Sequence, residues 1–192
     1  FDLGGVFFDW NPKYYYKTVF KNVDEMNYFL NKVCNNEWNI KQDNGRLIVD
    51  AENELIEKFP NYTNEIKMYY SNHRKMLGSV YQDSIDLLLE LKRKDYLCYV
   101  LSNWSAETFI GMTEDYLFLK EFDGIIISGE EKMMKPNEEI YKLALKRFNL
   151  IAEDTLFIDD KIENIESAKK LNFNTLHLID PKKIIKEVYN FI

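Results

Sequence analysis

Four short, largely apolar runs, each followed by a segment with helical spacing, constrain the fold of this chain most strongly. The runs span 97–101, 124–127, 155–158 and 175–178. Because their apolar residues are mostly consecutive rather than alternating with polar ones, they are typical of strands buried on both faces of a parallel sheet. Amphipathic segments between and around the runs are predicted to be helices: 82–94, 105–118, 137–148, 162–171 and 181–190. This alternation predicts an α/β fold with a doubly wound parallel sheet.

Residues 13–80 have a different pattern, in which helical spacing dominates and runs of β-branched residues are few. The helices predicted there are 13–21, 24–34, 50–59 and 63–77. The chain opens with Phe-Asp-Leu-Gly-Gly, which reads as the end of a buried strand followed by a tight turn, and we expect a few apolar residues to precede Phe1. The simplest organisation is an α/β core of residues 1–12 and 81–192, interrupted by an all-helical insert at 13–80.

Composition and charge narrow the class of protein. The 192 residues are 46% hydrophobic, which is enough to bury the core of one domain that carries a smaller insert. No apolar run approaches the roughly 20 residues of a membrane span. The net charge of −7, without a basic stripe, argues against a nucleic-acid partner. Cys34 and Cys98 form no CxxC or zinc motif, so we expect two reduced thiols in a cytoplasmic protein.

Polar residues follow the predicted strands at the points where the strands end. They are Asp2 after the first strand, Ser102 and Asn103 after 97–101, Asp159 and Asp160 after 155–158, and Lys135 in the loop after 124–127. In open α/β sheets ligands bind beyond the carboxyl ends of the strands, so we expect these side chains to converge. One such residue alone would be an ordinary turn former or helix cap. The whole set at one sheet edge indicates a functional site.

Each of these residue types has a use in phosphoryl transfer. Carboxylates gathered together repel one another and require a cation, and a hard divalent ion such as Mg²⁺ prefers oxygen ligands. Asp2 can coordinate a metal with one oxygen and attack an electrophile with the other. Ser102 can donate a hydrogen bond to an anionic oxygen, and Lys135 adds a fixed positive charge. The residues therefore predict phosphoryl transfer through an aspartyl-phosphate.

The sequence resembles the haloacid dehalogenase superfamily, in the subgroup with a helical cap inserted after the first strand, and is similar to its sugar phosphatases. The resemblance covers essentially the whole chain. It implies a Rossmann-like core, with residues 13–80 as a cap domain that closes over the substrate. Four motifs carry it, in the family's order: Phe1-Asp2-Leu3-Gly4-Gly5-Val6, Val100-Leu101-Ser102-Asn103, Lys135-Pro136, and Phe157-Ile158-Asp159-Asp160 with Asn164.

The resemblance implies a set of metal-binding roles. Asp2 would be both the nucleophile and a Mg²⁺ ligand, and the backbone carbonyl of Gly4 would be a second ligand. Asp160 would bind the metal directly, Asp159 would hold a metal-bound water, and Asn164 would support the site.

The resemblance also implies how the phosphoryl group is held. Ser102 and Asn103 would contact it, and Lys135 would neutralise its charge. The implied partner is a small phosphorylated substrate rather than a nucleic acid or a membrane. The protein could be a monomer or a homodimer.

One departure from the family pattern leaves the function open. The family's phosphatases usually have Asp-x-Asp in the first motif, whose second Asp protonates the leaving oxygen and then activates water, and here that position is Gly4. General acid–base catalysis typically contributes about 10²–10⁴-fold, so turnover should be slow unless another group supplies the proton. The alternatives are a sugar-phosphate-class phosphatase, a 2-haloacid dehalogenase-type hydrolase, which needs no metal, and a non-catalytic binder of phosphorylated ligands.

Further residues are candidates for contact with the substrate or the leaving group. Trp10 and Trp104 follow the first and second motifs closely and could stack on a sugar, or could pack in the core. Arg46, in an Asn-Gly-Arg turn, could bind a phosphate, or could be an ordinary surface arginine. Asp9 is a candidate substitute acid or a hinge residue. Glu107 could reach the site or cap its helix.

Overall fold

Strands and helices alternate along the chain in the computed structural model, which describes residues 1–192. The strands are β1 (Phe8–Trp10), β2 (Leu77–Val80), β3 (Tyr99–Ser102), β4 (Gly124–Ile127), β5 (Leu156–Asp159) and β6 (Asn174–His177). The α-helices are α1 (Lys13–Tyr16), α2 (Val23–Tyr28), α3 (Asn36–Asp43), α4 (Ile48–Lys58), α5 (Thr63–Ser71), α6 (Gln82–Arg93), α7 (Ala106–Phe109), α8 (Met112–Asp115), α9 (Ser128–Glu131), α10 (Glu138–Phe148), α11 (Ile162–Lys170) and α12 (Ile184–Val188). None of the helices is both long and apolar enough to cross a membrane.

The first residues of the chain join two pairs of parallel strands. Strand β3 pairs with β4, and β5 pairs with β6. Phe1 donates from its amino group to the carbonyl of Tyr99 at 2.8 Å and accepts from the backbone N–H of Leu101 at 2.9 Å, the bonding pattern of a parallel neighbour. On the other side, the N–H of Asp2 donates to the carbonyl of Ile158 at 2.9 Å. The resulting order is β4, β3, residues 1–3, β5, β6.

Consecutive strand residues point into two separate hydrophobic clusters. Val100 belongs to a cluster that includes Leu87 of α6, whereas the next residue, Leu101, belongs to a cluster that includes Ile140 of α10 and Ile165 of α11. Since successive side chains of a strand face opposite sides of a sheet, helices cover both faces. The consecutive apolar runs reflect this double burial, and the predicted doubly wound α/β fold is confirmed.

The helices α1 to α5 lie between β1 and β2, which pair in an antiparallel manner. Their hydrophobic core is separate from those of the sheet and is rich in aromatic residues, among them Tyr16, Phe29, Trp38 and Tyr69. The helical unit formed by α1 to α5 therefore has its own packing, and the ribbon of β1 and β2 connects it to the sheet.

Several predicted elements differ from those observed. The helix predicted at 63–77 ends at Ser71, and its last residue begins strand β2. The helix predicted at 105–118 is split into α7 and α8, because Gly111 adopts a left-handed φ of 79°. The carbonyls freed beside this break accept hydrogen bonds from Arg74 of the segment that precedes β2. Sequence periodicity does not reveal such a contact between distant segments.

Candidate active site

Four buried polar side chains meet at the carboxyl edge of the sheet. Asp2 Oδ1 accepts a hydrogen bond from Ser102 Oγ at 2.6 Å and lies 3.0 Å from Lys135 Nζ. Lys135 Nζ also donates to Asp159 Oδ2 at 2.6 Å. Each of these side chains is at least nine-tenths buried. The structure thus brings together the carboxylates, hydroxyl and lysine that the strand ends predicted.

The loop that carries Lys135 is held by the residue after Ser102. Asn103 Oδ1 accepts from the backbone N–H of Lys135 at 2.9 Å, and Asn103 Nδ2 donates to the Lys135 carbonyl at 2.8 Å. Asn103 lines the site cavity, yet both of its amide atoms are used in this pair. Its observed contacts position Lys135, and a contact with the phosphoryl group stays a prediction.

Both carboxylate oxygens of Asp159 accept hydrogen bonds. Besides Lys135, its oxygens accept from Asn164 Nδ2 at 3.0 Å and from the backbone N–H of Lys161 at 2.8 Å. Burial alone would lower the pKa of Lys135, but the charges of Asp159 and Asp2 outweigh it and raise that pKa. Lys135 therefore stays protonated, and Asp159 serves as its counter-ion.

Asp160 differs from Asp159 in having a buried carboxylate oxygen, Oδ1, with no hydrogen-bond partner. Burial, followed by the charges of Asp2 and Asp159, raises the pKa of Asp160 to about 6. Carboxylate oxygens of Asp2, Asp159 and Asp160 all lie within 4.8 Å of one another. An unpartnered buried oxygen among crowded carboxylates is what a divalent cation would stabilise, so these residues fit the predicted Mg²⁺ site.

The two glycines of the first motif have different surroundings. A Cβ at Gly4 would meet no atom within 4 Å, whereas a Cβ at Gly5 would lie 2.5 Å from Asp160 Oδ2. Gly5 also has a φ of 69°, so glycine is required there by both space and conformation. The position that carries an acid in the family's phosphatases is therefore open space in this protein.

A cavity of about 250 Å³ lies over these residues and is shared by the sheet edge and the helical unit. Its aromatic wall contains the predicted Trp10 and Trp104 together with Phe8 and Tyr70. Trp104 Nε1 donates to Thr108 Oγ1 at 3.1 Å, whereas Trp10 Nε1 is buried without a partner. Both tryptophans are thus placed at the site, where they could contact a substrate.

Arg46 is not placed there, contrary to the prediction that it binds substrate. Its guanidinium pairs with Glu54 and donates from Nε to Gln42 Oε1 at 2.7 Å, and it does not line the cavity. The Asn-Gly-Arg turn instead lies against the core, where the Cβ that Gly45 lacks would be 3.1 Å from the carbonyl of Gly129. Sequence reasoning recognised the turn but not the acidic partner on the next helix.

Of the two acidic candidates, one lies in the cavity. Asp9 lines it, and its Oδ2 accepts from the Tyr14 hydroxyl at 2.5 Å. Glu107 does not line it, because its Oε1 accepts from the backbone N–H of Ile48 at the start of α4. Glu107 thus caps a helix of the helical unit rather than its own helix.

Sequence reasoning missed cavity residues from the helical unit. Asp43 ends α3, and His73 follows α5, and both line the cavity beside Asn36 and Asn39. Helix α3 was not predicted because it lacks an apolar stripe. The signal that could have revealed it is Asn35, whose side chain caps the helix by accepting from the N–H of Trp38.

The doubly wound sheet, with carboxylates and a lysine at its carboxyl edge, is the arrangement that the sequence motifs predicted for a hydrolase. Residues 1–178 match the haloacid dehalogenase-like hydrolase family, and the chain belongs to that family. It is 31% identical over 183 residues to sesquiterpene phosphatase astK of Aspergillus oryzae, a match that covers 94% of this chain and 88% of the relative. It is also 26% identical over 100 residues to (S)-2-haloacid dehalogenase 1 of a Pseudomonas species, covering 52% of this chain and 44% of that one.

Solved structures show the same fold. One is a HAD family enzyme of Bacteroides thetaiotaomicron in complex with magnesium and inorganic phosphate, with a TM-score of 0.69 and 25% sequence identity. The match covers 91% of this chain and 90% of that one. A protein with this fold therefore binds both magnesium and inorganic phosphate.

Proposed function

We propose that this protein is a Mg²⁺-dependent phosphatase that hydrolyses a small phosphomonoester through a phosphorylated Asp2. The observation that carries the proposal is the position of Asp2 between two kinds of group. Ser102 and Lys135 contact its Oδ1, and a carboxylate oxygen of Asp2 lies within 4.8 Å of one from Asp160, whose Oδ1 has no partner. The phosphate-bound relative from Bacteroides thetaiotaomicron supports this proposal.

The residues of the chain divide the work of the first step. Asp2 attacks phosphorus with one carboxylate oxygen while the bond to the leaving oxygen breaks. Ser102 donates a hydrogen bond to the transferred group, and Lys135 offsets its negative charge. Asp2, Asp160 and the Gly4 carbonyl would hold Mg²⁺ directly and Asp159 would hold it through a water, and the bound ion would supply positive charge for the phosphoryl group.

The helical unit is proposed to act as a cap, with the domain boundaries expected from the sequence: core 1–12 and 81–192, cap 13–80. The support is that cavity residues come from both units and that β1 and β2 are the two crossings between them. A cap that closes over the cavity would exclude water from the phosphorylated aspartate until the alcohol has left.

Two substrate classes suit the cavity. The resemblance to sugar phosphatases and the polar residues Asn36 and Asn39 favour a sugar phosphate. The aromatic wall, together with the relative named a sesquiterpene phosphatase, favours a phosphomonoester of an apolar alcohol. Both classes belong in the first substrate panel.

A dehalogenase is the second candidate, because a halide leaves without the proton that Gly4 cannot supply and because one relative has that activity. In a reaction without metal, however, the unpartnered oxygen of Asp160 has no function. A non-catalytic binder of phosphorylated ligands would retain the metal site without turnover.

Hydrolysis of sugar 1-phosphates, an isoprenoid monophosphate and 4-nitrophenyl phosphate, measured with Mg²⁺ and with EDTA, tests the proposal. We expect phosphate release that requires Mg²⁺ and is lost in Asp2→Asn, since the amide is a poor nucleophile. Activity that Asp2→Asn retains in full would exclude the mechanism. Halide release from a 2-haloacid in the absence of ester hydrolysis would favour the dehalogenase, and neither activity would favour the binder.

A further inference from the structure

We propose that Asp43 is the general acid and base of this site and replaces, from the helical unit, the carboxylate that Gly4 lacks. The inference rests on the proposed phosphatase function. It names a residue on a different element from the one that carries the acid in the family's usual first motif.

Asp43 lies at the C-terminal end of α3 and lines the same cavity as Asp2 and Gly4. Its backbone is fixed to the core, because Ser128 Oγ donates to the Asp43 carbonyl at 2.5 Å. The backbone N–H of Ser105, just beyond the end of β3, lies near the carboxyl group and opposes the rise of its pKa. No side chain donates a hydrogen bond to this carboxyl group, which leaves it available to a ligand in the cavity.

The turn after Asp43 explains why the helical unit approaches so closely at this point. Gly45 has a φ of 90°, and a Cβ there would lie 2.7 Å from Lys132 Cγ and 3.1 Å from the Gly129 carbonyl. Only glycine allows this approach. The Asn-Gly-Arg motif, which sequence analysis singled out for its arginine, therefore serves to dock Asp43 over the sheet edge.

The charges around Asp43 suit a proton donor near neutral pH. Burial raises its pKa to about 7, with the Lys161 ammonium opposing the rise and the Asp2 carboxylate adding to it. On the helical unit, the phenols of Tyr69 and Tyr70 lie near Asp43. An acid with a pKa near the working pH is partly protonated and can both donate and accept a proton.

The other titratable groups of the cavity are less suited to this role. The Asp9 oxygen Oδ2 is occupied by the Tyr14 hydroxyl at 2.5 Å. Burial lowers the pKa of His73 to about 4, so its ring is neutral at physiological pH and is a poor acid. Asp160 belongs to the proposed metal site. Asp43 is the cavity carboxyl group that neither accepts a hydrogen bond from a neighbouring hydroxyl nor belongs to the proposed metal site.

Asp43 gives up one proton in the first half-reaction and regains one in the second. As Asp2 attacks phosphorus and the bond to the leaving oxygen breaks, the Asp43 carboxyl gives its proton to that oxygen and the alcohol departs. The resulting carboxylate then takes a proton from water, whose oxygen attacks the phosphorus of phosphorylated Asp2. The bond between phosphorus and Asp2 breaks, phosphate leaves, and Asp43 is protonated again.

The test is Asp43→Asn, examined with esters of activated and unactivated alcohols in single-turnover experiments with Mg²⁺. For an alkyl or sugar phosphate we expect release of the alcohol to slow by about 10²–10³-fold, as typical for loss of general acid catalysis. For 4-nitrophenyl phosphate, whose leaving group needs little protonation, release should slow less than about 10-fold. With excess 4-nitrophenyl phosphate the variant should then show a burst of about one equivalent of nitrophenol, because hydrolysis of phosphorylated Asp2 lacks its base.

Two further variants make the result specific to the proton transfer. Asp50→Asn, the same substitution at an exposed residue of α4, should behave as the unsubstituted protein. Gly4→Asp in the Asp43→Asn background should restore part of the rate with alkyl phosphates, since Gly4 has room for a side chain. Gly4→Asp alone should raise this rate much less, because the unsubstituted protein already has Asp43 as its acid. An equal gain in both backgrounds would mean that Asp43 only holds the helical unit in place.

Several outcomes would overturn the inference. Equal slowing of alcohol release with both kinds of ester and no burst would assign Asp43 a structural role. Unchanged kinetics in Asp43→Asn would place the acid elsewhere while leaving the proposed phosphatase intact. If the unsubstituted protein hydrolyses no ester, the proposed function fails, and the inference fails with it.

Discussion

At the scale of single residues, Lys135 is the centre of the site. Its ammonium contacts two buried carboxylates, Asp2 at 3.0 Å and Asp159 at 2.6 Å, and its side chain is 1% exposed. A buried ionic cluster adds little net stability, because desolvation of its members offsets their attraction. Removing one member is nevertheless costly, because the remaining charges stay buried without compensation. The same lysine therefore controls both the charge at the site and the stability of the sheet edge.

Replacing Lys135 with methionine should accordingly reduce the free energy of unfolding by about 3–5 kcal/mol, the usual cost of an uncompensated buried charge. Urea denaturation at pH 7.5 in EDTA measures this loss. Lys142→Met is the matched control, since the exposed Lys142 pairs only with exposed Glu138 and Glu139 and should change stability by less than about 1 kcal/mol. A loss no larger than that of the control would contradict the account of the buried cluster.

At the scale of elements, Arg74, between α5 and β2, adds a contact between the base of the helical unit and the core beside the β1–β2 ribbon. The arginine donates to the carbonyls of Thr108 and Ile110, each at 2.6 Å, and pairs with Asp115 at 2.8 Å. These carbonyls are free because Gly111 interrupts the helix. One side chain thus connects the base of the helical unit to the broken segment that begins beside Trp104 in the cavity wall.

Arg74→Ala should therefore loosen the relation between the two units more than it destabilises either one. We expect faster amide hydrogen exchange in 106–115 and a higher KM with a smaller change in kcat, because the cavity wall is less well positioned for substrate binding. Lys75→Ala, in the same turn, is the control, since Lys75 contacts Asn72 and Tyr15 of the helical unit and donates no hydrogen bond to 106–115. Unchanged exchange in 106–115 would show that Arg74 is dispensable for the contact.

At the scale of the whole molecule, the sequence predicts those parts of the site that depend only on the order and direction of the sheet strands. Asp2, Ser102 and Asp159 come together because parallel strands end at one edge, and that follows from the order of strands and helices alone. The helical unit is less predictable, because α3 has no apolar stripe and carries Asp43 to the cavity through tertiary contacts. The position of the Arg46 side chain depends on its ion pair with Glu54, eight residues further along the chain in α4. No local sequence pattern encodes that pairing.

The three carboxylates also couple the stability of the whole molecule to metal and pH. Asp160 has a pKa raised to about 6, so without metal it contributes stability when protonated at low pH, and that contribution is lost as pH rises through 6. Mg²⁺ binds the ionised carboxylates, so its stabilising effect should grow as pH rises through 6 and reach about 2.7 kcal/mol at 100 times its Kd.

Thermal unfolding with and without Mg²⁺ at pH 5 and pH 7.5 measures both the effect of pH and the effect of Mg²⁺ on stability. The shift caused by Mg²⁺ at pH 7.5 should vanish in Asp160→Asn and persist in Asp154→Asn, an exposed carboxylate at the opposite end of β5. An equal shift at both pH values, or one that survives Asp160→Asn, would mean that Mg²⁺ binds elsewhere.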